Sequence, residues 1–279
     1  MSAPVVKQAP SRPVRDGDGY YHMPDGRKLM SVTTVIEHGV PKPGLVHWAA
    51  IEVAHCAMDY LPRLLRARGE EARESTYQWL RRAAERRRDS AADLGTSIHD
   101  AVDATILGAP WPEPTDEQRP FLDAFARFCE RWQPDWEASE MVVANLTDGW
   151  CGKGDAWLWL VLPDLGTESV LIIVDWKSGK NIYPDIALQL SAYARAEVAW
   201  LRDGTQVVPP RPQFAAVVHL RPDKYPQTGG YRIRPVDITD ATYGAFRHAQ
   251  ATAEGWVRGR SKLVLGKAYP EPSPTRTAA

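Results

Sequence analysis

Cysteine is scarce in this chain of 279 residues. Only Cys56, Cys129 and Cys151 occur, far apart and without a CxxC pair. That argues against a disulfide framework or a zinc knuckle, and scattered thiols suit a reducing compartment such as the cytoplasm. Long apolar runs are missing as well. No stretch approaches the roughly 20 residues that a membrane span needs, so no membrane partner is expected. The first fifteen residues hold several prolines and no apolar core, which does not read as a secretory leader. Net charge is nearly absent: 34 basic against 35 acidic residues leave −1. Any surface for a polyanion must therefore come from local clustering. What remains is 44% apolar residues, including eleven tryptophans. This suffices for one elaborated domain, or one domain with a helical subdomain.

Along the chain, residues 1–18 read as a disordered arm. Residues 19–36 read as a small hairpin whose strands, at 20–23 and 28–35, flank a Pro24-Asp25-Gly26 turn. Pro41 and Pro43 then precede a helix over 45–60. Residues 63–88 are helical and carry nine arginines, Arg81 and Arg82 among them, against four glutamates. That stretch is either a solvated face with internal ion pairs or a contact surface for a nucleic-acid backbone. Helices are expected at 92–107 and 116–132, and strands at 140–146, 150–162 and 169–177. A helix over 184–201, strands at 214–220 and 230–233, and a closing helix over 237–257 follow. The tail from 269 is rich in Pro, Ser and Thr and reads as flexible. This order predicts an α/β fold, a central mixed sheet flanked by helices with a helical N-terminal region. The expected division is a hairpin and helical region over 19–135 and a core over 136–268.

The segment VLIIVDWKSGK, residues 170–180, carries the most chemistry. Five apolar residues before Asp175 mark a strand buried on both faces. Side chains alternate, so Asp175 and Lys177 share a face and Trp176 points into packing. An acid and an amine two residues apart at a sheet rim can hold a metal and a reacting phosphate between them. The preceding strand carries Gly152-Lys153-Gly154-Asp155. Asp155 shares its face with Trp157 and Trp159, where a carboxylate is costly unless paired or bound to a cation. If these strands pair, Asp155 and Asp175 lie side by side, and a divalent cation resolves their repulsion. Oxygen ligands with open positions favour Mg²⁺ or Mn²⁺ over zinc. The flanking glycines leave room for an approach to the backbone. His99, behind Gly95-Thr96, lies on a predicted helix, and Gln189 and Tyr193 share a face of the helix after the lysine. Glu140 begins the first core strand, either near the site or as an ordinary surface residue.

As a set, Gly95-Thr96 with His99, Gly154-Asp155, Asp175-Trp176-Lys177, and Gln189 with Tyr193 resemble the RecB-like branch of the PD-(D/E)xK nucleases. Ser31-Val32-Thr33-Thr34, Pro41-Lys42-Pro43 and Trp48 are similar to the N-terminal part of its phage-type members. The resemblance implies a restriction-endonuclease-like core and a Mg²⁺- or Mn²⁺-dependent deoxyribonuclease with one or two ions. The activity it implies is that of an exonuclease in phage or bacterial recombination or repair. It implies metal ligation by His99, Asp155 and Asp175 with the carbonyl of Trp176, a catalytic Lys177, and Gln189 and Tyr193 supporting the site and the strand. Many relatives hold an iron–sulfur cluster on four cysteines; three cysteines here predict no cluster. DNA with free ends or single strands is the implied partner, its backbone gripped by Lys153, Lys180, Arg81 and Arg82. Two other readings stand beside it: a catalytically silent DNA-binding accessory protein of the same fold, and a metal-binding structural protein acting through a Trp-rich surface.

Overall fold

The computed structural model describes residues 11–110 and 113–267. The expected N-terminal arm falls mostly, and the flexible tail wholly, outside those residues. The sheet is built around one long strand. The strand β5 (Trp150–Val161) follows β4 (Asp135–Asn145) through a tight turn at residues 146–149, where Gly149 supplies a φ of +79°. The two pair antiparallel along their lengths, from Asn145 opposite Trp150 to Asp135 opposite Trp159.

The other side of β5 is shared. Its first two residues pair in parallel with β3 (Lys28–Ser31), and residues 156–161 pair antiparallel with β6 (Ser169–Lys177). Beyond β3 lie β2 (Tyr20–His22) and β1 (Val14–Arg15). Beyond β6, β9 (Phe214–Leu220) runs parallel and β10 (Tyr231–Val236) antiparallel to β9. On the far side of β4 stand β7 (Val198–Trp200) and β8 (Gln206–Val207). The result is one mixed sheet of ten strands.

Helices cover both faces. On one, α1 (Val32–Gly39), α7 (Ile186–Tyr193) and α8 (Asp240–Ala251) bury Val35, Leu190 and Phe246 against Trp150, Trp157 and Ile173. On the other, α5 (Ala83–Ile106) and α6 (Arg119–Trp132) bury Ile98, Val102, Phe125 and Phe128 against Leu158, Ile172, Val174 and Trp176. The β6 run is apolar throughout because alternate residues feed these two cores. The hairpin strand β3 and helix α1 thus belong to the same sheet and core as the chain beyond residue 135. The helices α2 (Pro43–Asp59), α3 (Leu61–Arg66) and α4 (Glu70–Arg81) bury no residue fully and form an outlying helical region. No helix among the described residues is long and apolar enough to cross a membrane.

Four elements differ from the sequence expectation. Residues 32–35 are helical rather than extended, although all four are β-branched. Ser31 caps the helix, its Oγ accepting from the Thr34 amide at 3.1 Å, and the turn buries Val32, Val35 and Ile36. The arginine-rich stretch is three helices, broken around Gly69 (φ +83°) and again at Arg82. The helix expected over 184–201 ends at Tyr193. Arg195 covers the Ser191 carbonyl at 3.1 Å, and residues 198–200 add to the edge of β4. Val14–Arg15, placed in the disordered arm, forms an edge strand; Asp16 fixes the turn by accepting from the Tyr20 amide at 2.8 Å and pairing with Lys28 at 2.9 Å.

Candidate active site

Between the residues that pair with β3 and those that pair with β6, residues 152–155 of β5 have no ladder partner on that side. The candidate site sits in this gap. The last pair of β5 and β6 is Ala156 with Val174, so Asp155 and Asp175 occupy the next opposed position, where the strands part. The Asp155 carboxylate replaces the lost backbone partner: the Trp176 amide donates to its Oδ2 at 2.9 Å. The Trp176 ring is anchored on the opposite face by edge contacts to Phe125 and Phe128, with centroids 5.3 and 5.6 Å away.

Three side chains converge at the gap. One ligating atom each from His99 on α5, Glu140 on β4 and Asp155 on β5 lie within 4.8 Å of one another. His99 Nδ1 is 3.4 Å from Asp155 Oδ2, and Lys153 forms an ion pair with Glu140. The expected ligand set was His99, Asp155 and Asp175; two of these, His99 and Asp155, belong to this close group, and Asp175 lies next to it. Asp175 is 1% exposed; its Oδ2 lies 2.5 Å from Lys177 Nζ, and its Oδ1 accepts from Gln189 Nε2 at 3.1 Å. Its charge is close enough to be felt by His99 and Asp155, and Glu140 is the third member of the close group. Glu140 carries a φ of +51°, a left-handed conformation that a non-glycine residue adopts only when its surroundings impose it. A signal for Glu140 was present in the hairpin: counting five residues back from Asn145 and five forward from Trp150 sets Glu140 opposite Asp155.

The charges of the site are interdependent. Burial pushes the Asp175 carboxyl up to about 6 against the pull of the Lys177 ammonium, and the nearby Asp155 charge adds to the rise. Burial also opposes ionisation of Asp155, but the His99 and Lys177 charges and the Trp176 amide outweigh it and hold its carboxyl below the usual range. Burial disfavours the charged Lys177, yet Asp175 and Asp155 keep its ammonium above the ordinary value. His99 follows the same logic, raised by Asp155 despite burial.

The remaining expected residues fall into three groups. Gln189 and Tyr193 reach the site from α7: Gln189 orients Asp175, while Tyr193 is buried under Gly152. A Cβ at Gly152 would stand 2.5 Å from the Tyr193 ring, and one at Gly154 2.3 Å from the Trp157 ring. The room left by these glycines is thus filled by the protein's own aromatics. Lys153 and Lys180 are exposed at the rim, Lys153 beside Glu140. Arg81 and Arg82 are exposed where α4 meets α5, with Arg82 paired to Glu85 at 3.1 Å. The Arg-rich start of α5 lies along the same helix as His99, about 18 Å away for twelve residues at 1.5 Å each. Gly95 on α5 packs toward Ser178, which follows the lysine, with a Cβ position 3.7 Å from its Oγ.

Sequence reasoning missed the residues that fix the chain beyond Lys177. His219, buried on β9 in register with Lys177, contacts the Gly179 carbonyl through Nε2 at 2.7 Å and Tyr225 through Nδ1 at 3.1 Å. Arg221 donates to the same carbonyl at 3.1 Å. A cleft of about 190 Å³ opens beside Lys177 and Gln189, walled by Thr33, Lys42, Asn181 and Tyr183.

Neither a protein-family model nor a curated protein matches the sequence. Fold and site define a mixed-sheet α/β protein with a histidine–carboxylate cluster beside a buried Asp–Lys pair.

Proposed function

We propose that this protein is a metal-dependent deoxyribonuclease of the RecB-like PD-(D/E)xK type, an exonuclease of phage or bacterial recombination or repair. The observation that carries the proposal is the meeting of the motif residues at one sheet gap. His99 on α5, Asp155 on β5, Asp175 and Lys177 on β6 and Gln189 on α7 arrive there from separate stretches of chain.

A divalent cation fits the residues present. One imidazole and two carboxylates offer atoms within 4.8 Å of one another, and buried Asp175 Oδ2 accepts no well-directed hydrogen bond. His99, Glu140 and Asp155 would hold Mg²⁺ or Mn²⁺, with Asp175 adding negative charge behind them. Such an ion supplies positive charge against a phosphoryl oxygen and acidifies a water. The chain supplies the rest. Lys177 presents an ammonium kept protonated by two acids, suited to offsetting charge that develops on the phosphate. Gln189 fixes the orientation of Asp175, and the Trp176 amide fixes that of Asp155. Lys153, Lys180 and the exposed arginines at the head of α5 provide backbone contacts without base readout.

The test is magnesium-dependent degradation of linear DNA by the parent, Asp175→Ala and Lys177→Ala. The proposal expects both variants to lose at least about 100-fold in rate, the scale of removing one transition-state donor. Variants as fast as the parent would overturn the site assignment, and an inert parent that still binds DNA would return the catalytically silent reading. Circular substrates spared while linear ones are consumed would establish exonuclease action.

A further inference from the structure

We propose that Ser139 is the positioning residue that sets the spacing of the three ligand-bearing elements. The proposal rests on reading His99, Glu140 and Asp155 as a cation site. Those residues sit on α5, β4 and β5, and the hydroxyl of Ser139 meets all three elements.

Ser139 is the residue before Glu140 on β4, and its Oγ donates to Asp103 Oδ1 on α5 at 2.6 Å. Asp103 lies four residues after His99, on the same face of the helix. The carbonyl of Asp155 is 3.4 Å from the same Oγ, a marginal contact that marks how closely the elements approach. Ser139 has one proton to give, and the short carboxylate contact takes it. Asp103 is held from its other side by Arg202, whose Nη2 donates to both carboxylate oxygens at 2.5 Å. Arg202 follows β7, which pairs with β4 on its outer edge. The brace Arg202–Asp103–Ser139 thus closes a loop from β7 through α5 to β4.

This loop has a specific consequence for the ligands. Glu140 holds a φ of +51°, a conformation its own backbone does not favour. A charge-assisted hydrogen bond on the preceding residue opposes relaxation of that turn and fixes the distance from β4 to the helix that carries His99. No other hydrogen bond among the described side chains links α5 to β4. Neither Asp103 nor Ser139 belongs to the ligand set, and the uncharged Ser139 can act on an ion only through geometry.

The experiment is titration of Mn²⁺ into the full chain, followed by electron paramagnetic resonance of the free ion, with melting temperature recorded alongside. His99→Ala serves as the site control, and is expected to abolish the high-affinity binding. Ser139→Ala is expected to weaken Mn²⁺ binding about 10-fold or more, as the loss of supporting hydrogen bonds around ligands does elsewhere. Ser139→Thr, which keeps the hydroxyl, is expected to restore most of it. Arg202→Ala leaves Ser139 and Asp103 in place and is expected to give a smaller, several-fold loss; it carries the test if Ser139→Ala fails to fold. Parent-like Mn²⁺ affinity in Ser139→Ala, or in Arg202→Ala where that variant carries the test, with His99→Ala impaired, overturns the brace and leaves the site standing. An equal affinity in the parent and His99→Ala overturns the cation site and the brace together.

Discussion

Replacing Glu140 by glycine should leave the metal-free protein about as stable as the parent while weakening its hold on a divalent ion. Glu140 sits at φ +51°, and the left-handed region costs a non-glycine residue about 1–2 kcal/mol. Glycine removes that strain but loses about 0.5–1 kcal/mol through the greater freedom of its unfolded chain. The ion pair with Lys153 is lost as well; Lys153 is half exposed, so the pair is worth less than about 1 kcal/mol. Against this, a carboxylate close to Asp155 disappears. Before the relief of that repulsion is counted, the sum runs from a loss of about 1 to a gain of about 1.5 kcal/mol. Glu137 on the same strand has no positive φ and accepts one hydrogen bond, from Trp159 at 3.0 Å. Glu137→Gly should therefore lose about 1 kcal/mol. The two variants should differ in melting temperature by several degrees, at about 2–4 °C per kcal/mol. Thermal unfolding with a chelator is the assay. Saturating Mn²⁺ should then raise the parent above Glu140→Gly, because only the parent gains fully from the ligand. A loss in Glu140→Gly equal to that in Glu137→Gly, or an undiminished Mn²⁺ gain, would refute the reasoning.

Further expectations concern pH, packing and charge. Asp175, raised from 3.8 to about 6, binds more protons folded than unfolded across that interval, so metal-free stability should increase as pH falls from 7 toward 4. His99, also raised, adds stability that is present below its ordinary value and lost as pH climbs through the folded one. Unfolding midpoints at pH 5 and 8 with a chelator check the direction, and Asp175→Asn should flatten it. Gly152→Ala forces a Cβ to within 2.5 Å of Tyr193 and should destabilise by about 1–3 kcal/mol, partly relieved in the double variant with Tyr193→Leu. Exchanging Arg81, Arg82 and Arg87 for glutamine should weaken DNA binding and flatten its salt dependence, by up to about 0.9 in log–log slope per lost duplex contact. An unchanged slope would make that helical region an ordinary solvated surface.

The parts of the site that sequence made legible are those governed by local periodicity. Asp175, Trp176 and Lys177 sit on a strand whose alternation sends acid and amine one way and the indole the other. The short connection between β5 and β6, residues 162–168, sets the pairing that brings Asp155 beside Asp175. Gln189 is one helix turn from Tyr193 and was readable as part of the same face. The rest depends on tertiary context. The position of Glu140 opposite Asp155 could be counted from the hairpin, but its left-handed backbone is announced by no residue preference. Residues 32–35 read as a strand by β-branching, but a serine cap and burial on the sheet make them a helix. The Arg202–Asp103–Ser139 brace joins residues 99 and 36 positions apart, beyond the reach of any local pattern. His219 gives no hint in sequence that it steadies the chain after Lys177.

The central claim is that His99, Glu140 and Asp155 grasp a common divalent cation beside Lys177. Anomalous diffraction from crystals soaked in manganese tests it most directly. The account predicts one ion about 2.0–2.3 Å from an atom of each of the three residues. Manganese bound elsewhere, or no anomalous peak at the gap between β3 and β6 in ion-saturated crystals, would contradict it.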